Sequence, residues 1–96
     1  MRLEFVHPDA TDQERQHAQA AALAVFRDAN VDPRRAYIAS VELADQGDLR
    51  GGGDYRKSQE GQLALKLLGE AEEAANAAMR AIGKRHPAGH LAFVCA

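Results

Sequence analysis

The sequence predicts an α+β protein, a two-layer sandwich. A small three-stranded sheet, in the chain order β-α-β-loop-α-β, carries two helices packed on one face. Three observations predict it. Period-two alternation of apolar and polar residues marks short segments at the start and in the middle, and a short run apolar on both faces marks the end. Two longer segments repeat apolar residues at helical spacing. One glycine-dense stretch, residues 47–58, separates the middle segment from the second helix.

From Met1 to His7 the residues Met1, Leu3 and Phe5 alternate with Arg2 and Glu4, the pattern of a half-buried strand that Pro8 closes. Thr11 followed by Glu14 has capping-box spacing: the hydroxyl accepts from the third helical N–H and the carboxylate reaches back to the cap. The helix this starts is expected over 12–29, with Ala18, Ala22, Val25, Phe26 and Ala29 inward. Asn30 suits a left-handed stop, and Asp32-Pro33 makes a turn.

Over 35–44, Tyr37, Ala39, Val41 and Leu43 alternate with Ile38, Ser40 and Glu42, and a strand is expected there. Asp32-Pro33 also fits a helix start, but Arg34 and Arg35 would then oppose the helix dipole in its first turn. After the glycine stretch, Asp54 or Ser58 can cap a helix running to Ile82. Its stripe is Ala64, Leu67, Leu68, Ala71, Ala75, Ala78 and Ile82, widened by Leu63, Leu65 and Met79. Glu70, Glu72, Glu73 and Asn76 mark its wet side, Gly69 suggests a close approach, and Gly83 ends it. The last strand, His90–Ala96, is apolar on both faces and is therefore expected inside the sheet.

The chain has 96 residues, the size of one small domain. Much of its 46 % hydrophobic content is alanine, so the core is thin and partner subunits could supply the missing burial. A homo-oligomer is expected. Twelve Lys and Arg against fourteen Asp and Glu leave a formal charge of −2, which argues against sequence-specific nucleic-acid binding. No run approaches the ~20 apolar residues that cross a bilayer, and Met1–His7 lacks the apolar core of a secretion signal. Cys95 is the only cysteine and makes no internal disulfide. A cytoplasmic protein without membrane association is expected.

The candidate site is the glycine stretch. Arg50, Arg56 and Lys57 bring cations, Gly51, Gly52 and Gly53 free backbone N–H groups, and Ser58 adds a hydroxyl at a helix start. Those groups can hold a phosphate or carboxylate, with Tyr55 covering an organic part. The spacing from Gly51 to Ser58 departs from the phosphate-loop pattern G-x-x-x-x-G-K-[ST] at its second glycine, where Arg56 stands. That position must bend tightly around phosphate, so the roles of that loop are not carried over.

His86 and His90 are four apart, but Pro87 and Gly89 break the helix that would align them, and no metal or other cofactor is expected. Ser40, Ser58 and Cys95 have no sequence context that names a base or an oxyanion hole. The reading leans away from an enzyme. It favours an interaction or regulatory protein that self-associates and binds a protein partner through residues 47–58 and the adjoining helix. The alternative is a domain that binds a phosphate-bearing small molecule with the same loop.

Overall fold

The computed structural model describes residues 2–44, 58–84 and 88–94. Strand β1 (Arg2–Val6) follows its alternation: Leu3 and Phe5 are buried, while Arg2 and Val6 face water. Helix α1 (Asp12–Asp28) starts as its capping box predicts. The Glu14 N–H donates to the Thr11 hydroxyl at 3.2 Å, and the Thr11 N–H donates to the Glu14 carboxylate at 2.9 Å. Asn30, at φ 56°, supplies the left-handed stop.

The middle segment is helical, correcting the strand expected over 35–44. Helix α2 (Pro33–Ala44) has Asp32 at its start, whose carboxylate accepts the Arg34 N–H at 3.0 Å. The same carboxylate takes two bonds from the Arg34 guanidinium, at 3.0 and 2.8 Å. Of the two charges expected to oppose the dipole, that of Arg34 is thereby neutralised at the helix start. Ser40 donates back to the Ala36 carbonyl at 2.7 Å, a bond only helical spacing permits. Ala36 and Ala39 are buried, three apart on one face, so the sequence alternation concealed a helical pattern carried by alanine.

Helix α3 (Gln59–Ala81) is capped by Ser58, whose hydroxyl accepts the Gly61 N–H at 3.1 Å. It ends at Gly83, where φ is 85°. Strand β2 (His90–Val94) pairs antiparallel with β1, with Leu3 opposite Phe93 and Phe5 opposite Leu91. The order is therefore β1-α1-α2-α3-β2. Among the described residues the sheet has two strands, not three, and β2 lies at an edge rather than inside it.

Phe5, Phe26 and Met79 are the large fully buried side chains. The rest of the core is mostly alanine: Ala18 and Ala22 from α1, Ala36 from α2, and Ala64, Ala71 and Ala75 from α3. Side chains this small let α3 sit between α1 and α2 and touch both. Lys84 then ties the two ends of the helical layer. Its ammonium donates to the Asp9 carbonyl at 2.7 Å and to the Glu14 carboxylate, which holds the Glu14 carboxyl below its ordinary range. The Thr11 N–H acts in the same direction.

Leu91 and Phe93 face the helices, which leaves Arg2, Glu4, Val6, His90, Ala92 and Val94 on the other side of the ribbon. Among the described residues no element covers that side. No helix among them is long and apolar enough to cross a membrane.

Candidate interaction surfaces

Of the sequence-predicted site residues, Arg50, Gly51, Gly52, Gly53, Tyr55, Arg56 and Lys57 lie outside the described residues. Ser58 lies within them, and its oxygen caps α3. Beside this cap is a cleft of about 270 Å³ between the α1–α2 turn and the first turns of α3, lined by Asn30, Val31, Asp32, Arg35, Glu60 and Leu63.

The electrostatics of the cleft are mixed. Arg34 holds the Asp32 carboxyl below its ordinary value through side-chain and backbone hydrogen bonds, so that anion is already engaged. Its partner guanidinium is raised in return. Among the described residues Arg35 and Glu60 form no ion pair, and they frame the cleft with opposite charges. Leu63, expected in a broad apolar stripe, is instead 45 % exposed at this lip. Arg35 also lines a shallower neighbouring depression bordered by Ile38, itself 43 % exposed. Leu63 thus stands among charges little more than one turn after Ser58, and Ile38 borders the adjoining depression.

The second surface is the sheet edge, which the sequence did not reveal. Glu72 and Asn76 read as solvated residues of α3, but both are half-buried and bonded to the β2 side of the ribbon. The Asn76 amide donates to the Gly89 carbonyl at 3.0 Å and accepts the Gly89 N–H at 2.8 Å. Glu72 accepts the Leu91 N–H at 3.0 Å. The side chains of α3 therefore act as a substitute strand along the first half of this edge. A polar pair at i and i+4 on an alanine-rich helix is the signal that could have located them.

Gly89 is fixed by packing. A Cβ there would lie 2.2 Å from Cζ of Phe5 and 2.8 Å from the Val6 carbonyl oxygen. Gly69 behaves in the opposite way: nothing lies within 4 Å of a Cβ built on it, so the close approach expected there is absent among the described residues. It lines an open groove with Ala74 and Ala77, flanked by Lys66, Glu70 and Glu73.

His7 is 6 % exposed. Its Nδ1 accepts the Asp9 N–H at 3.1 Å, and its buried Nε2 has no hydrogen-bond partner. Among the described residues no group of three His, Cys, Asp or Glu side chains could hold a metal ion. His86 and Cys95 lie outside those residues, and His90 is exposed. Comparison of the chain with protein-family models, curated proteins and solved structures finds no match.

Proposed function

We propose that this chain is a small non-enzymatic interaction protein, one that self-associates and binds a protein partner through residues 47–58 and the adjoining start of α3. The observation that carries the partner half is Leu63. It follows the Ser58 cap by little more than one turn and stands largely exposed at the lip of a charge-framed cleft, with Ile38 exposed nearby. Exposed apolar side chains gathered inside a polar rim are the composition of a docking surface. The alanine-dominated core and the two-stranded ribbon support the self-association half, because a ribbon of two strands is marginal by itself.

A photo-crosslinking side chain placed at Leu63, and separately at exposed Gln16 on α1, tests the partner surface in cells. A defined adduct from position 63 and none from position 16 is expected. Equal adducts from both positions, or none from either, would remove the reading. The same loop could instead hold a phosphate-bearing small molecule. A nucleotide-induced rise in Tm that Arg56→Ala/Lys57→Ala abolishes without unfolding the chain would turn the conclusion that way.

A further inference from the structure

The edge of β2 is sealed for part of its length only. In an antiparallel pair, the N–H and C=O groups of alternate residues point away from the partner strand. The Gly89 and Leu91 N–H groups bond outward to Asn76 and Glu72, so those of Phe93, two residues on, point outward as well. The seal follows α3 in steps of one helical turn. Four residues of helix advance about 6 Å, close to the roughly 6.8 Å between alternate residues of a strand. Asn76 meets Gly89 and Glu72 meets Leu91. The next position, one turn earlier, is Leu68, which has no polar group to offer Phe93.

The β1 edge has the same succession. Gln19 of α1 accepts the Phe5 N–H at 3.0 Å, and one turn along α1 is Leu23. There, however, Leu3 is 4 % exposed and leaves no approach for another strand. Phe93 is only half-buried. β2 also lacks the devices that protect edges, since His90-Leu91-Ala92-Phe93-Val94 contains no Lys, Arg, Asp, Glu or Pro.

We propose that the open end of the β2 edge joins two copies of this chain, β2 against β2 in antiparallel register about Phe93. The inference rests on the self-association half of the reading above. Phe93 of each copy exchanges both backbone bonds with Phe93 of the other, giving a four-stranded sheet. A two-fold pairing of this kind is self-complementary. Ala92 faces Val94 of the second copy on the outer side, and Phe93 faces Phe93 on the inner side. No charge on β2 meets a like charge in this pairing. Each Phe93 ring is already held edge-on by Tyr37 at 5.3 Å, so the inner pair meets pre-positioned. Three paired residues are a small interface beside the roughly 1,200–2,000 Å² of standard complexes, so a weak, concentration-dependent dimer is expected.

Sedimentation of the whole chain from low to high micromolar concentration is expected to show a monomer–dimer equilibrium. Ala92→Lys/Val94→Lys and Ala92→Glu/Val94→Glu are each expected to be monomeric, because like charges then lie directly opposite. An equimolar mixture of the two is expected to pair at least about tenfold more tightly than either alone. A wild type that stays monomeric throughout overturns this inference and the self-association reading together. A dimeric wild type whose charge variants all remain dimeric overturns the β2 pairing and leaves self-association standing. Should the variants fail to fold, amide exchange of the wild type decides. The Phe93 N–H is expected to slow at least about tenfold as the dimer fills. A Phe93 N–H that exchanges equally fast in monomer and dimer overturns the proposal.

Discussion

The two strands form one ribbon, yet they are finished to different degrees. β1 keeps Leu3 and Phe5 buried, carries an Arg2–Glu4 ion pair on its outer face, and has no room at its edge. β2 is charge-free, half-buried from Leu91 to Val94, and bonded to α3 only as far as Leu91. A strand can thus be protected by burial, by surface charge or by borrowed side chains. β1 uses all three and β2 only the last, over part of its length.

The largest expected effects test whether the strands really differ. Phe5→Ala empties a fully buried site and is expected to cost about 3–5 kcal/mol in urea unfolding. Leu91→Ala, on the half-buried strand, should cost clearly less, about 1–2 kcal/mol. Equal losses would break the comparison. Gly89→Ala forces a methyl group against the buried Phe5 ring and the Val6 carbonyl, and an expected loss of about 1–3 kcal/mol should appear as a lowered urea midpoint.

Removing the borrowed edge gives a more localised effect. Asn76→Ala leaves two backbone groups of Gly89 without their partner, for an expected cost of about 1–3 kcal/mol. Faster amide exchange at Gly89 than at Leu91 would localise that loss. Gly69→Ala should act in the other direction, since the new methyl group enters open space and the helix backbone stiffens. A gain of up to about 1 kcal/mol in thermal unfolding is expected.

The smallest effect is pH-dependent. Lys84 and the Thr11 N–H lower the folded-state pKa of Glu14 below its ordinary 4.5. A carboxylate lowered by folding stabilises the protein above the unfolded value, and the contribution is lost as pH falls through the folded value. Glu14→Gln preserves the capping box but removes the charge. The Tm gap between it and wild type should therefore be present at neutral pH and close below about 4.5. A gap that persists unchanged in acid would show that Lys84 contributes nothing through charge.

Legibility in the sequence follows the physics of each element. The start and stop of α1 were readable because a capping box and Asn30 are local devices. So were the Ser58 start of α3 and its Gly83 stop. Residues 35–44 read as a strand because alternation at Tyr37, Ala39, Val41 and Leu43 looks like one. The deciding facts, an Asp32 cap that neutralises Arg34 and an Ala36/Ala39 face, carry little hydrophobic signal. That error supplied a third strand, while the two apolar faces of β2 made it look internal. The site residues from Arg50 to Lys57 lie outside the described residues, whereas Leu63 is legible only as part of an over-apolar helix start, because apolarity by itself does not tell a core side chain from an exposed one. Glu72 and Asn76 were passed over because a half-buried polar residue and a solvated one look identical in one dimension.

The pairing of the first strand with the last also sets an order of events. α1 can dock on α3, and α2 on α3, before the final strand exists, because those contacts involve only the middle of the chain. β1 can meet α1 early, but its ladder partner follows all three helices. Closing so long a loop is entropically slow, which favours helical assembly first and ribbon closure late. During synthesis on the ribosome, β1 can therefore lean on α1 and α2 early, but its ladder edge stays unpaired until β2 emerges, and that edge is what a nascent-chain chaperone would find open for longest.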